Sequence, residues 1–323
     1  MFYYYRVYGL TLRANRPIPG LTPAPGEIHD TEIEFAGTVP LTASPLAVAP
    51  TLIGEVETQR EFTAEGWRQR FTHHSTREFT DFLIDLTARR IRITWTSAVI
   101  ERDIAPVLLG GVMGVYLYTR GVMCLHASGV VIERTAALIL GASGRGKSST
   151  TASLVQRGFP LLTDDIAALD FQPGAVFVQP GYQHLRLWPD TAQALGYEPG
   201  TLPKVFLQPP PAEDKRYLDL TTQPNTFWLN PAPLGAIFFL GPRRAAESAL
   251  RVQRLSPKAA VPDLMANLFI GQHTNAVMRE QVFQHCATLA HSYPSYQIFP
   301  TARLADLPQL ADAIVNVCAS AAR

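Results

Sequence analysis

One stretch near the middle of the chain decides the fold, Ala136-Ala-Leu-Ile-Leu-Gly-Ala-Ser-Gly-Arg-Gly-Lys-Ser148. Its first five residues are apolar and predict a buried strand. The eight residues from Gly141 to Ser148 satisfy the G-x-x-x-x-G-K-[ST] pattern of a phosphate-binding loop. A helix is predicted over 148–157, with Gly158 as its stop signal. Strand, loop and helix in this order form the context that phosphate binding requires.

Each residue type in the loop has a physical reason to be there. Glycines let backbone N–H groups close around phosphate oxygens, and the N-terminus of the helix adds partial positive charge. Lys147 would neutralise the β- and γ-phosphates, while the hydroxyl of Ser148 would take a place on Mg²⁺. The alternative is a glycine-rich turn without a ligand. The predicted nucleotide-phosphate site consists of Gly141, Ala142, Ser143, Gly144, Arg145, Gly146, Lys147, Ser148 and Ser149.

Two adjacent carboxylates, Asp164 and Asp165, follow the next apolar strand, which is predicted over 161–163. In an α/β sheet the end of this strand lies near the phosphate crevice. Two carboxylates at this position can take different roles. One would hold Mg²⁺ or its waters, and the other would accept a hydroxyl proton. The alternatives are a helix or turn cap, or a single metal-binding carboxylate.

A histidine, His126, lies on the strand predicted over 123–132, just before the strand that leads into the loop. If these two strands pair, His126 comes near the open end of the crevice. From the residues alone, the default interpretation is a buried structural histidine.

The rest of the sequence predicts two parts, a β-rich lobe over 1–100 and an α/β domain over 101–323. In the lobe, Ile91, Ile93 and Trp95 share one face of the clearest alternating strand. Strands are expected over 3–12, 31–39, 61–71 and 90–96. In the second part a buried helix is expected over 104–118, a hairpin over 166–179, strands over 234–240 and 296–299, and helices over 259–271, 275–291 and 304–320.

Composition excludes several classes of protein. The chain has 323 residues, 47% of them apolar and 17% charged, so it can bury a sizeable core and is not disordered throughout. With 28 Lys and Arg against 27 Asp and Glu, it has no global field for nucleic acid or an anionic membrane. Cys124, Cys286 and Cys318 lie far apart, which is typical of buried thiols in a reducing compartment. The N-terminus shows no secretion signal, so we expect a soluble cytoplasmic protein.

Several motifs together resemble the catalytic domain of HPr kinase/phosphorylase. They are Leu125-His126, the loop 141–148, and Val155-Gln-Arg-Gly-Phe-Pro-Leu-Leu-Thr-Asp-Asp165, at that family's intervals. Two further motifs, Gly181-Tyr-Gln-His-Leu-Arg-Leu-Trp-Pro-Asp190 and Lys215-Arg-Tyr-Leu218, resemble a divergent branch of serine kinases. That branch occurs with peptide-modifying gene clusters and includes the lasso-peptide precursor kinases.

The resemblance implies a fold and a set of roles. The fold is a P-loop kinase domain of the HPr kinase/PEP carboxykinase-like type, with a mixed sheet, preceded by the β-rich lobe and ending in helices. Ser148 and Asp165 would serve Mg²⁺, and Asp164 would accept the proton of a serine hydroxyl. His126 would orient the aspartate pair or tune it electrostatically.

The chain departs from the family at one signature. The family's Glu-x-Arg-Gly is replaced by His184-Leu-Arg-Leu-Trp188, without the glutamate or the glycine, which puts phosphorylase activity and HPr as a substrate in doubt. Arg186 still carries a guanidinium suited to a phosphate, and Lys215 or Arg216 could do likewise. The alternative for each of these three is a surface salt bridge.

These observations favour an ATP- and Mg²⁺-dependent kinase that phosphorylates a serine of a peptide or small protein. One alternative is a kinase of a free small molecule. Another is a nucleotide-sensing regulator or slow ATPase. The resemblance also implies a homo-oligomer, and the balanced charge predicts no nucleic-acid or membrane partner.

Overall fold

The computed structural model describes residues 1–26, 28–42, 46–53, 56–63, 65–207, 214–245, 249–269 and 276–321. Eight strands come first: β1 Tyr3–Val7, β2 Leu10–Ala14, β3 Thr31–Thr38, β4 Thr51–Ile53, β5 Val56–Phe62, β6 Gly66–His73, β7 Phe79–Asp85 and β8 Arg90–Trp95. A helical stretch follows, made of α1 Ile104–Val107, a π-helical turn Leu108–Val112 and α2 Met113–Thr119.

The remaining elements mix strands with helices. The strands are β9 Met123–Leu125, β10 Ala127–Ile132, β11 Thr135–Leu140, β12 Leu161–Thr163, β13 Ala167–Gln172, β14 Ala175–Val178, β15 His184–Leu187, β16 Arg216–Asp219, β17 Ala232–Leu240, β18 Arg251–Arg254 and β19 Ser295–Phe299. The helices are α3 Lys147–Gln156, α4 Pro189–Ala194, α5 Pro257–Ala266, α6 Ala276–Ser292 and α7 Leu307–Ala321. The chain is a mixed α/β protein that is β-rich at its start and helical at its end.

The chain forms two compact units. The first comprises Met1–Tyr116 and Lys204–Lys215, and the second comprises Leu117–Pro203 and Arg216–Arg323. The division therefore falls at residue 116 rather than near residue 100, where the sequence pattern changes.

Hydrogen bonds explain why the first unit extends past residue 100. The Tyr8 hydroxyl donates to the carbonyl of Leu109 at 3.0 Å, and the hydroxyls of Thr31 and Tyr116 are 2.8 Å apart. The sheet of the first unit thus holds the helical stretch against itself.

The first unit contains one eight-stranded sheet in the order β1-β2-β3-β8-β7-β6-β5-β4. The pairs β2–β3 and β3–β8 are parallel and the other pairs are antiparallel. The strands expected over 31–39 and 90–96 are confirmed within a residue at their ends. The single strands expected over 3–12 and 61–71 are wrong, because each is a hairpin that turns sharply, the first at Tyr8 and Gly9 with φ of 54° and 79°.

The second unit is built on a mixed sheet with β11 and β17 at its centre. These two strands are parallel, as are β17 and β19, whereas β10 pairs antiparallel with both β11 and β12. Strands β14, β13 and β9 continue the sheet beyond β17, and β18 pairs with β19. The expected hairpin over 166–179 is confirmed as β13 and β14.

Side chains alternate between the two faces of this sheet, as a strand's period of two requires. Leu138 and Leu140 of β11 pack in one apolar cluster with residues of α5 and α6. Ala137 and Ile139 pack in another with residues of α3 and α7. Helices therefore bury both faces, and the loop that follows β11 is held on a central strand of the sheet.

The C-terminal helices follow the expected pattern with shifted ends. The helix expected over 259–271 spans Pro257–Ala266, and residues 270–275, which include the expected helix ends Gly271 and Asn275, lie outside the described residues. Among the helices described, none combines the length and the apolar character needed to cross a bilayer.

The first unit contains a buried ion pair on its sheet. Asp81 of β7 accepts two hydrogen bonds from the guanidinium of Arg70 on β6, at 2.7 and 2.6 Å, and a third from Arg68. The side chains of Asp81 and Arg70 are only 6% and 7% exposed. Removing one member of such a pair leaves the other charge buried without compensation.

We expect Asp81→Asn to lower the free energy of unfolding by about 3–5 kcal/mol, because Arg70 then stays buried without its counter-charge. Urea unfolding measures this change. The matched control is Glu101→Gln, which breaks a pair between Arg16 and Glu101 that is 44% and 43% exposed and should change stability little. Equal losses in the two variants would contradict the prediction.

Candidate functional site

The glycine-rich loop connects β11 to α3 and folds back on itself. Gly141, Gly144 and Gly146 all have positive φ, of 150°, 79° and 103°. Residues with a Cβ rarely adopt this region of backbone conformation, whereas glycine adopts it readily. The ammonium of Lys147 is buried and donates to the carbonyl oxygen of Gly141 at 2.8 Å. The lysine at the helix start thus closes the loop around its own backbone, and the loop tip at 142–144 is exposed.

The first aspartate, Asp164, is a nearly fully buried carboxylate at the end of β12, 1% exposed. It accepts hydrogen bonds from the hydroxyls of Ser128 and Ser148, the latter at 2.9 Å, and from the backbone N–H of Arg186 at 3.3 Å. A buried carboxylate is tolerated when donors surround it in this way. Ser148 at the end of the glycine-rich loop is therefore joined directly to Asp164, which follows β12.

The second aspartate, Asp165, adopts a left-handed conformation with φ of 70°. The N–H of Ile166 donates to the Asp164 carbonyl at 2.9 Å, so the chain turns tightly at this point. Local strain of this kind persists only where the surroundings hold it, and it is frequent at functional sites. The turn gives the two adjacent carboxylates separate sets of partners.

His126 lies in the gap between β9 and β10 and faces Asp165. Its Nδ1 is 3.1 Å from the Asp165 carbonyl oxygen and 3.2 Å from Oδ1 of the same residue. Because a carbonyl oxygen only accepts, this contact requires the proton on Nδ1. The strand expected over 123–132 is interrupted here, and the break turns His126 toward the aspartates.

The three cations assigned to phosphate or substrate are placed differently. Nη1 of Arg186 is 3.7 Å from Oδ2 of Asp165. Arg216 begins β16 and donates to the carbonyl of Leu202 at 3.5 Å, whereas Lys215 belongs to the first unit. The structure thus brings Arg186 to the aspartate pair.

The guanidinium of Arg186 stays protonated and positively charged. Burial by itself would lower the pKa of its guanidinium, but the acidic groups of Tyr182, Asp165, Tyr217 and Asp164 outweigh that effect and raise the pKa well above its usual value. The site therefore keeps a permanent cation beside its second carboxylate.

Two residues of the site were not identified from the sequence, Ser128 and Asn267. Ser128 lies two residues beyond His126, so the period of two in a strand could have indicated it. Asn267 follows α5, and its Oδ1 accepts from the Gly141 N–H at 3.0 Å while its carbonyl accepts from the His126 N–H at 2.7 Å. Asn267 thus connects the start of the glycine-rich loop to His126 through two hydrogen bonds.

An open cleft lies beside the loop. One wall is formed by Gly146 and Ser149, at the start of α3, and the other includes Leu304, Leu307 and Leu310. Ser149 is fixed there by contact with the hydroxyl of Thr191 at 3.3 Å.

Arginines add positive charge to this cleft, namely Arg145, Arg243 and Arg303. Arg243 lies so close to the loop that a Cβ on Gly146 would be 3.7 Å from its Nη2. Arg145 and Arg243 thus lie at the loop side of the cleft, whereas Arg303 pairs with Asp306, which also lines it, at 3.2 Å.

Comparisons with known proteins give little beyond a loose structural relation. No family model and no curated protein matches the chain. Among solved structures it resembles the Hpr(Ser) kinase/phosphatase from Coxiella burnetii, with a TM-score of 0.31 and 14% identity over 60% of this chain and 88% of that one. A similarity this weak carries no argument about activity, so function has to be inferred from the site.

We expect Asn267→Ala to lower the free energy of unfolding by about 1–3 kcal/mol, because it leaves the Gly141 N–H without its acceptor. The amide of Asn267 also donates to the Asp263 carbonyl at 2.8 Å, and that bond is lost too. Thermal unfolding measures the effect. Asn316→Ala, at an exposed position of α7, is the control, and a similar loss there would contradict the assigned role.

Proposed function

We propose that the chain is an ATP- and Mg²⁺-dependent kinase that transfers the γ-phosphoryl group to a serine hydroxyl of a peptide or small protein. The observation that carries the proposal is the division of partners between two adjacent carboxylates beside a phosphate-binding loop. Asp164 is bonded to Ser148 of the loop, whereas Asp165 faces His126 and Arg186.

The donor set on the loop side fits Mg²⁺. The Asp164 carboxylate and the Ser148 hydroxyl supply hard oxygen ligands, which Mg²⁺ prefers. The described residues contain no group of three or more His, Cys, Asp or Glu able to hold a metal by themselves. Mg²⁺ would therefore complete its shell with phosphate oxygens and water, and when bound it would neutralise charge on the β- and γ-phosphates.

The contacts favour the reverse of the roles that the resemblance implies for the two aspartates. The resemblance pairs Ser148 with Asp165 for the metal, but Ser148 donates to Asp164 instead. Asp164 is already engaged by three donors, which leaves it poorly placed to take up a proton. Asp165 is 25% exposed on its side chain and has His126 to orient it, so we assign it as the proton acceptor.

The chemistry then needs positioning more than covalent help. The serine oxygen forms a bond to the γ-phosphorus as the bond to ADP breaks, and the hydroxyl proton passes to Asp165. Lys147 and the loop N–H groups hold the nucleotide phosphates. A positioned base contributes on the order of 10²–10⁴-fold.

The cleft beside Gly146 is suited to the nucleoside end of ATP. It borders the start of α3 at Ser149 and Thr150, whereas Lys147 and Ser148 do not line it. A base needs an apolar wall, which Leu304 and its neighbours supply.

Intact mass spectrometry tests the proposed reaction after incubation with ATP, Mg²⁺ and either serine-terminated precursor peptides or an HPr-type protein. We expect one acceptor to gain a phosphoryl group. Lys147→Ala should abolish transfer, and Asp165→Asn should slow it by about 10²–10⁴-fold while nucleotide binding persists. Asp170→Asn is the matched control, because Asp170 bonds to Gln172 on β13.

Other outcomes would replace the proposal. Unmodified acceptors with conversion of a free metabolite would identify a small-molecule kinase. ATP binding without acceptor-dependent ADP release would identify a nucleotide sensor or slow ATPase. Full activity of Asp165→Asn together with loss in Asp164→Asn would return the base to Asp164.

We expect Ala302→Trp to weaken ATP binding about tenfold or more by filling the cleft, a loss of about 1.4 kcal/mol. Inorganic tripolyphosphate, which lacks the nucleoside, should bind as tightly as before. Ala302 is exposed and lines the cleft, whereas Ala305 is exposed and does not, so Ala305→Trp is the control. Calorimetry measures both ligands, and equal weakening of tripolyphosphate would place the nucleoside elsewhere.

A further inference from the structure

One buried hydroxyl beside the aspartates has no role in the scheme above, that of Tyr182. The residue is 3% exposed, and its Oη has no hydrogen-bond partner in the part of the chain that the structure describes. A buried hydroxyl without a partner costs free energy, so each case in a folded protein needs an explanation. A ligand that accepts its hydrogen bond is one such explanation.

The backbone holds Tyr182 against the strand that ends in Asp164. The N–H of the preceding residue, Gly181, donates to the Leu162 carbonyl at 2.8 Å. A Cβ on Gly181 would lie 2.5 Å from Oγ1 of Thr163, so only glycine permits this approach. Tyr182 is therefore fixed next to the carboxylate pair.

The ring of Tyr182 also packs against the site's permanent cation. The guanidinium carbon of Arg186 is 5.9 Å from the ring centroid. Arg186 in turn pairs with Asp165. The phenol thus lies on the same side of the site as Arg186 and Asp165, the proposed proton acceptor, which we call the acceptor side.

The hydroxyl keeps its proton at neutral pH. Burial raises the pKa of Tyr182, and the negative charges of Asp165 and Asp164 act in the same direction, while Arg186 opposes them. Tyr182 is consequently available as a hydrogen-bond donor, next to a fixed positive charge. A donor and a cation together match an oxyanion.

We propose that Tyr182 is a further catalytic residue, whose hydroxyl donates a hydrogen bond to an oxygen of the phosphoryl group during its transfer. The inference rests on the proposed kinase function. In such transfers the charge is spread over three equatorial phosphoryl oxygens, and fixed donors aimed at them stabilise the transition state. Lys147 supplies such stabilisation from the nucleotide side, and Tyr182 supplies it from the acceptor side.

The test uses Tyr182→Phe and a probe that needs no acceptor. Calorimetry compares the binding of MgADP alone with that of MgADP plus aluminium fluoride, which mimics the phosphoryl group in transit. The wild type should bind MgADP more tightly when aluminium fluoride is present. In Tyr182→Phe we expect unchanged MgADP binding and an aluminium fluoride complex weakened by about 10- to 100-fold, the loss typical of a hydrogen bond to a charged group.

The matched control is Tyr118→Phe. Tyr118 also has a buried hydroxyl without a partner among the described residues, and its ring packs against the apolar cluster of α5 and α6. Its variant should bind both probes as the wild type does. Neither variant should lower the Tm, because each removes an oxygen that forms no hydrogen bond within the described protein.

The outcomes separate the two proposals. A wild type that does not bind MgADP defeats the proposed function itself. If MgADP binds but aluminium fluoride adds nothing, or Tyr182→Phe keeps the full gain, the role of Tyr182 is overturned while nucleotide binding stands. A lower Tm in Tyr182→Phe alone would show that the hydroxyl has a structural partner, and this too would overturn it.

Discussion

The second unit depends on one electrostatic constraint, the burial of the Asp164 carboxylate. An ion removed from water costs several kcal/mol unless donors replace the lost hydration. Here the donors come from three segments, with Ser128 on β10, Ser148 on α3 and the Arg186 N–H on β15. All three donors must be in place at the same time for the Asp164 carboxylate to be buried. The glycine-rich loop, the central sheet and the two-stranded sheet of β15 and β16 are therefore coupled through a single side chain.

Arg186 connects this buried carboxylate to the second one. Its backbone N–H bonds to Asp164, while its guanidinium is 3.7 Å from Asp165. Two adjacent carboxylates repel each other when both are ionised, and a cation beside one of them reduces that repulsion. The left-handed turn at Asp165 separates their partners further, with His126 on one side and Ser148 on the other. The two adjacent carboxylates thus have different partners.

The sequence predicted the parts of the site that are close together along the chain. Local pattern predicts the strand, loop and helix around 136–157, and it also singles out the aspartates after β12. The structure brings the two parts together through the hydrogen bond from Ser148 to Asp164. Asn267 could not be predicted, because it is 126 residues from its partner Gly141 and has no motif of its own. The single strand expected over 61–71 failed for a different reason. The sequence between β5 and β6, residues 63–65, contains none of the usual Asn-Gly or Pro signals.

The contacts of Asp165 bear on the choice between the proposed kinase and a nucleotide sensor. A nucleotide sensor needs the loop, Lys147 and the bond between Ser148 and Asp164. Nucleotide binding alone gives no reason for the contacts of a second carboxylate, Asp165, with His126 and Arg186. It also gives no reason for the left-handed backbone at Asp165. Strain and a buried guanidinium both cost stability. Their concentration where a γ-phosphate would meet an acceptor therefore favours group transfer over nucleotide binding alone.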